Sequence, residues 1–394
     1  MTAGQLSGPH VFVVAGEESG DRLGAALITA LRKRAPTARV SGVGGAHMAH
    51  VGVRSLFPLG DLAIVGIVAI LGSLPKIIAR IEATAAAVVA AKPDMLVIID
   101  SPDFTHRVAR KVRARANIPI IDYVCPSVWA WRPGRARVMR DYIDHVLALL
   151  PFEPEAMARL GGPPTTYVGH PLAEQVATLR PNAEEAKRRL ADPPLVLAMP
   201  GSRSTEIRRM APVFGDALAR VADRFGAMEV VVPAVPRLAE ATRAATSRWR
   251  LPARIVTDQA DKLAAFRAAR AALVKSGTST LELALAGVPM VAAYKVGLVE
   301  ELVARTFITV PSVILANLVL GENAVPELLQ RDCTPERLAA ALLPLLSDTP
   351  ERAKQVAAFT RLDRLMGIGQ AVPSDRAAAV VLDCAGGLNQ RSGG

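Results

Sequence analysis

AALVKSGTSTLELALAGVP, Ala271–Pro289, joins three kinds of sequence in one short run. Ala272–Lys275 is apolar and of strand length, Ser276-Gly277-Thr278-Ser279 is a turn of small and hydroxylated residues, and Thr280–Ala286 carries helical spacing. Strand, turn and helix in that order make a βα unit of a parallel sheet. Glycine in such a turn lets a ligand approach the backbone, and the N–H groups and hydroxyls at the helix start favour an anion. Ser276, Gly277 and Thr278 therefore make either a phosphate seat or an ordinary helix cap, since the same residue types serve both. Glu282 lies one turn further on, within reach of a sugar hydroxyl beside a bound phosphate.

The same alternation runs through the rear half of the chain. Leu195–Met199, Met228–Pro233, Arg254–Thr257, Ala272–Lys275 and Met290–Tyr294 read as strands, each followed by a helical segment. The first turn of this set, Pro200-Gly201-Ser202-Arg203-Ser204-Thr205-Glu206, offers a second anion seat at a helix start. Two such turns in one domain, one beside an acidic residue, suit a nucleoside diphosphate. Within Pro311–Gln330 a loop is expected at Ile314–Leu318; Asn317 and Gln330 are polar groups in apolar sequence, each either a satisfied core amide or a ligand contact. Helices are expected at Pro335–Leu346, Pro350–Leu365 and Ser374–Cys384.

The front half repeats the architecture. Val11–Gly16 is an apolar strand that runs into Glu17-Glu18-Ser19-Gly20-Asp21, and Leu23–Leu31 then has helical spacing. Neither this turn nor Gly42-Val43-Gly44-Gly45 after the next strand, Arg39–Ser41, has the G-x-G-x-x-G spacing of a nicotinamide dinucleotide site. Met95–Ile99 is a continuous apolar strand ending at Asp100-Ser101-Pro102-Asp103-Phe104, and the carboxyl ends of such strands form the ligand crevice of an open α/β sheet. Asp100 can serve there as a base tuned by partial desolvation; Asp103 is either a second such carboxylate or the cap of the helix that follows. Ile118–Tyr123, the next strand, leads into Cys125-Pro126-Ser127-Val128-Trp129-Ala130-Trp131-Arg132, whose paired tryptophans either pack or grip a sugar ring or an acyl chain. His145–Leu150 is a further strand, and Tyr167–Pro171 a short strand and turn.

Asp61–Pro75, DLAIVGIVAILGSLP, is the most apolar run and is followed by Lys76 and Arg80. It falls short of the ~20 apolar residues that span a bilayer. It is either a buried core helix or an apolar surface that meets a membrane or acyl chains with basic flanks on anionic lipid. The pattern breaks between Leu172 and Pro194, which divides the chain into 1–172, 173–372 and a C-terminal helix and tail, 373–394.

A chain of 394 residues is too long for one ordinary core, and half apolar with few aromatics suits buried parallel strands under helices. The net charge of +11, spread over both halves, suits a protein that handles anions. Nucleic acid is the weakest choice, since the basic clusters Arg107–Arg115 and Arg132–Arg140 lack interleaved aromatics. Three cysteines without metal spacing and an N-terminus without a signal pattern point to the cytoplasm. No Asp-x-Asp or His/Cys cluster asks for a metal, and no cofactor is expected.

Gly16–Asp21, Asp100–Phe104, Pro126–Trp131, Pro200–Arg203, Ser276–Thr278 with Glu282, and Glu327–Gln330 together resemble the lipid-A-disaccharide synthases, in order and over nearly the full chain. The resemblance implies two Rossmann-like doubly wound domains facing a central cleft, the GT-B arrangement. It implies an inverting glycosyltransferase that joins UDP-2,3-diacylglucosamine to 2,3-diacylglucosamine 1-phosphate through a β-1,6 bond and releases UDP, in the lipid A biosynthesis of a Gram-negative cell. On that resemblance Asp100 is the first choice of base and Asp103 the second. Glu17, Ser19, Asp21, Trp129 and Trp131 serve the acceptor side. Ser202 and Arg203 face the diphosphate or nucleotide, Ser276, Gly277 and Thr278 cradle phosphate, Glu282 holds the ribose, and Asn317 and Gln330 close over the donor. Ile64, Val65, Ile67, Val68, Ile70 and Leu71 hold acyl chains at the inner-membrane surface, where the enzyme is peripheral. A homodimer is carried as an expectation. Ala316 stands where the family usually has Pro, which puts the loop geometry there in question. The rival enzymes on this architecture, a UDP-N-acetylglucosamine epimerase or a peptidoglycan-type transferase, leave the apolar Leu62–Leu74 run unexplained; a non-catalytic nucleotide-binding or membrane-surface module leaves Asp100 unexplained.

Overall fold

The computed structural model describes residues 8–62, 67–297, 310 and 312–389. The chain forms two compact units, one from the residues up to Pro171 together with Gln370 onward, the other from Leu172–Gly369. Each contains a six-stranded sheet whose described pairings are all parallel, the doubly wound α/β architecture that the alternating sequence predicts.

In the first unit the strands are β1 (His10–Ala15), β2 (Arg39–Val43), β3 (Met95–Ile99), β4 (Ile120–Tyr123), β5 (His145–Ala148) and β6 (Thr165–Tyr167), in the order β2-β1-β3-β4-β5-β6. Side chains alternate across a strand, so the continuous apolar runs fill two cores at once. Phe12, Val14, Leu96, Ile98, Ile120 and Val146 face one core, with helices α3 (Ile67–Ala91) and α4 (Pro102–Arg113); Val11, Val13, Val97, Ile99, Ile121 and Leu147 face the other, with α1 (Glu18–Arg34). The helix Pro373–Asn389 lies in this second core through Ala377, Ala378, Val381 and Ala385. Among the described residues of α3, Ile81, Thr84, Ala85 and Val88 are buried, spaced for one helix face.

In the second unit β7 (Leu195–Met199), β8 (Glu229–Pro233), β9 (Ala253–Val256), β10 (Ala271–Lys275), β11 (Met290–Tyr294) and β12 (Glu327–Leu329) follow the order β12-β11-β10-β7-β8-β9. The quoted stretch forms β10 and the helix Ser279–Leu285. Arg189 fixes the far end of that helix by donating to the carbonyls of Ala286 and Gly287 at 3.1 Å each, orphan acceptors that a helix end must place somewhere. Two local expectations need correction. Ile314–Leu318 is not a loop: Leu315–Leu320 is a helix, ended by Gly321 in the left-handed region. Glu327–Leu329, too short to show a pattern, is an edge strand.

Strand order decides where ligands go. It reverses between β1 and β3 in the first unit and between β7 and β10 in the second, and crevices open at the carboxyl ends of strands at such reversals. Gly16–Ser19 and Asp100–Ser101 follow the first pair; Pro200–Arg203 and Lys275–Thr278 end or follow the second.

Candidate active site

At the first reversal the two loops touch. A Cβ on Gly16 would lie 2.3 Å from the Ser101 Cβ, so only glycine lets the β1 loop pass that close. Ser19 Oγ lies 2.6 Å from Glu17 Oε1 and 3.0 Å from Asp100 Oδ2, and its one hydroxyl hydrogen serves two carboxylates. Ser101 N–H donates to Asp100 Oδ1 at 2.7 Å. Asp100 and Ser101 both have left-handed backbones, φ 53° and 48°, where non-glycine residues are uncommon. Strain of this kind concentrates at functional sites and persists only where neighbours enforce it. Here Thr105 Oγ1 donates to the Asp100 carbonyl at 2.6 Å, and Asp100 N–H to the Tyr123 carbonyl at 3.2 Å.

Asp100 lines a cavity of about 190 Å³ together with His106, Asp122, Cys125, Ser127, Trp131 and Arg135. Drug-sized ligands fill roughly 300–1,000 Å³, so this cavity has room for about one sugar ring and not for an acylated lipid. Its second carboxylate is Asp122, 1% exposed. Asp103, expected in that place, sits exposed in the first turn of α4 and is not in the lining; it is not the helix cap either, since Ser101 holds the N-cap position. Asp122 Oδ2 lies 3.0 Å from His106 Nε2, His106 Nδ1 lies 3.0 Å from the Tyr142 hydroxyl, and Arg110 donates to that hydroxyl at 3.3 Å. Burial pushes the Asp122 carboxyl up, His106 pulls it back, and nearby Asp100 pushes it up again. Burial also pushes the Cys125 thiol up, which removes it as a thiolate nucleophile.

Asp21, expected on the acceptor side, belongs to the scaffold instead. Its carboxylate is buried and accepts from the backbone N–H groups of Gly45, His47 and Met48 at 2.7, 2.8 and 3.1 Å, which pins the start of α2 (Ala46–His50). The two tryptophans also part company. Trp129 is half-buried, its Nε1 donates to Glu153 Oε1 at 3.2 Å, and its ring meets Phe152 edge-on at 4.9 Å, so it packs the loop. Trp131 is 41% exposed and lines the cavity.

Glu153, buried beneath this loop, also accepts from Leu150 N–H at 2.8 Å, and burial pushes its carboxyl up to about 7 from 4.5. A carboxyl raised in the folded state binds more protons there than in the unfolded chain. Its stabilising contribution is whole below about 4.5 and is lost as pH rises through about 7. Half-buried His170, which desolvation pushes down to about 4, works the other way. The measurable quantity is therefore a difference: wild-type stability minus that of Glu153→Gln, from denaturant titrations at several pH values, is expected to fall by on the order of 3 kcal/mol across this window. A flat difference would show that Glu153 is not desolvated as described.

At the second reversal the anion seat already holds an anion. Ser202 N–H donates to Glu206 Oε2 at 2.9 Å, Arg203 Nη1 donates to Oε1 at 2.9 Å, and Lys275 Nζ lies 3.2 Å from Oε1. Gly201 has φ +142°, and a Cβ there would lie 2.5 Å from the Glu206 Cβ. Burial would raise the Glu206 carboxyl, but the Ser202 N–H, Lys275 and Arg203 outweigh it and hold it below its ordinary value. Beside it, Gly277 and Thr278 follow β10 with Thr278 exposed at the helix N-cap; Ser276 is buried and its Oγ donates to the Val313 carbonyl at 3.3 Å. Glu282 pairs with Lys262 at 3.1 and 3.3 Å, each about one-fifth exposed.

Asn317 and Gln330 both hydrogen-bond within the chain, Asn317 through both ends of its amide and Gln330 through its Oε1. Asn317 is buried, donates to the Val325 carbonyl at 3.0 Å and accepts from Val325 N–H at 2.9 Å. Gln330 Oε1 accepts from Val296 N–H at 2.9 Å. Of the acyl-chain candidates, Ile64 and Val65 lie outside the described residues. Ile67, Val68, Ile70 and Leu71 belong to the first turns of α3, with their side-chain surroundings also outside them. The basic flank is paired: Asp61 accepts from Lys76 at 2.7 Å and from Arg80 at 2.6 and 3.1 Å. Among the described residues no helix is long and apolar enough to cross a membrane.

A family profile described as lipid-A-disaccharide synthetase matches residues 11–380. The chain is 59% identical to the lipid-A-disaccharide synthase of Nitrobacter hamburgensis, with 96% of each chain covered. It is 56% identical to that of Bradyrhizobium diazoefficiens, over 97% of this chain and 98% of the other. Solved structures resemble it at lower identity. MurG of Acinetobacter baumannii has a TM-score of 0.57 at 16% identity, covering 95% of this chain and 99% of that one. The UDP-N-acetylglucosamine 2-epimerase of Rickettsia bellii has a TM-score of 0.59 at 13%, covering 97% and 98%. These two show the fold alone.

Proposed function

The chain belongs to the lipid-A-disaccharide synthase family, so its activity is glycosyl transfer in lipid A biosynthesis, and we propose that its two units divide that reaction between them. The first unit activates the acceptor, 2,3-diacylglucosamine 1-phosphate. The second holds the donor, UDP-2,3-diacylglucosamine.

The observation that carries this division is the Asp100 cavity. A carboxylate at a strand end, fixed by Ser101 N–H and Ser19, lines a space of sugar size with a tryptophan at its side. Asp100 takes the proton from the acceptor hydroxyl as that oxygen bonds to the donor's anomeric carbon, and the bond to the diphosphate breaks on the opposite face with inversion. Asp122 and His106 line the same cavity as a buried pair. In the second unit Lys275, Arg203 and the turn Ser276–Thr278 supply positive charge and N–H groups for the departing diphosphate. Glu282 accepts from the ribose. Acyl chains too large for the cavity rest on the apolar run Ile64–Leu74 at the inner-membrane surface.

The donor half is tested by initial rates of UDP release with each substrate varied in turn. Glu282→Ala is expected to raise KM for the UDP-sugar about tenfold, the ~1.4 kcal/mol of one lost hydrogen bond, with KM for the acceptor unchanged. An unchanged donor KM would remove Glu282 from the donor site.

A further inference from the structure

We propose that Arg135 binds the anionic group of the acceptor, reading its C1 phosphate while Asp100 faces the attacking hydroxyl of the same ring. This rests on the Asp100 cavity being the acceptor site. For a β-1,6 bond the nucleophile is the oxygen on C6, so phosphate and base must be served from one cavity a sugar ring apart.

The cavity's charges single out Arg135. Asp100 and Asp122 are its carboxylates, and His106 is spent between Asp122 and Tyr142. Arg135 is the other basic side chain of the lining. Among the described residues it makes no hydrogen bond or ion pair, and its one ring contact is with Trp131, 5.8 Å from guanidinium to ring centre. A cation held against an aromatic face but left without a carboxylate keeps its fork of donors for a ligand, and a phosphate takes that fork two bonds at a time.

Trp131 supplies the second half of the recognition. It is a large ring, 41% exposed, in the wall of the cavity, suited to the face of a sugar. Arg132 covers it as well, at 4.7 Å, and has a left-handed backbone with φ 55°, a conformation that a bulky residue adopts only when its surroundings impose it. The loop is thus held in the shape that presents Trp131 and Arg135 together. The ligand it fits is a sugar phosphate, and the specificity it confers is for an acceptor that carries the charge.

The test compares two acceptors, 2,3-diacylglucosamine 1-phosphate and the same lipid without phosphate, on wild type, Arg135→Ala and Arg135→Lys. Arg135→Ala is expected to lose about 10²-fold in kcat/KM on the phosphorylated acceptor, mainly in KM, and less than threefold on the other; Arg135→Lys recovers part of the loss. Where the unphosphorylated lipid turns over too slowly to time, its inhibition constant enters the same comparison. Equal losses on both acceptors, or none on either, overturn the proposal. Asp100→Asn, run alongside, separates the two levels. If it and Asp122→Asn both stay fully active, the acceptor-site assignment itself fails; if Asp100→Asn is inactive and Arg135→Ala behaves alike on both lipids, only the phosphate role fails.

Discussion

Asp100→Asn is expected to lower kcat for UDP release by about 10³-fold while UDP affinity stays within twofold. General-base catalysis contributes roughly 10²–10⁴, and an amide of the same shape can keep the Ser101 N–H bond while losing the ability to take a proton. The change is confined to the first unit, whereas the proposed nucleotide ligands lie on the second, so binding of UDP by calorimetry should not respond. Asp122 provides the internal control. Retention of more than a tenth of kcat in Asp100→Asn, with loss in Asp122→Asn, would move the base from Asp100 to Asp122.

The second large effect is on stability. Asp21→Ala is expected to destabilise the protein by about 3–5 kcal/mol, because three backbone N–H groups lose a buried, charged acceptor. Asp21→Asn should fall between, since one amide oxygen can still serve Gly45 and Met48 while the NH₂ meets the His47 N–H. Thermal melting ranks the three proteins. At a temperature where Asp21→Ala remains folded, its KM for the acceptor should match wild type. A normal melting curve with a raised acceptor KM would return Asp21 to the binding site.

Much of the architecture was legible because parallel sheets buried on both faces need continuous apolar strands, and Val11–Ala15, Met95–Ile99 and Leu195–Met199 are such strands in this sequence. The loops after them, where ligands bind, could be located for the same reason. What each side chain in those loops does was less accessible. Asp21 and Ser19 sit two residues apart on one helix turn, and the turn sends one into the interior and the other toward Asp100. Asp122 lies inside the apolar run IIDY, where its only signal is a charge in a strand that has no room for one, whereas Asp103 stands in a turn-like motif that reads as a site although it caps nothing and lines no cavity. Asn317 was open between core amide and ligand contact, and the hydrogen bonds to Val325 decide for the core. Glu206 carried no signal as a partner of its own turn, because Ser202, Arg203 and Lys275 meet only after the β7 and β10 ends are brought side by side.

The carboxylate lodged in that turn changes how a nucleotide can come and go. On the proposed donor placement, a phosphate oxygen that takes the Ser202 amide and the Lys275 ammonium displaces Glu206 from both. The evicted side chain stays tethered a few ångströms away, a competitor that dilution cannot remove. On that placement, Glu206 competes with UDP for the same two donors and favours its release once the sugar has gone.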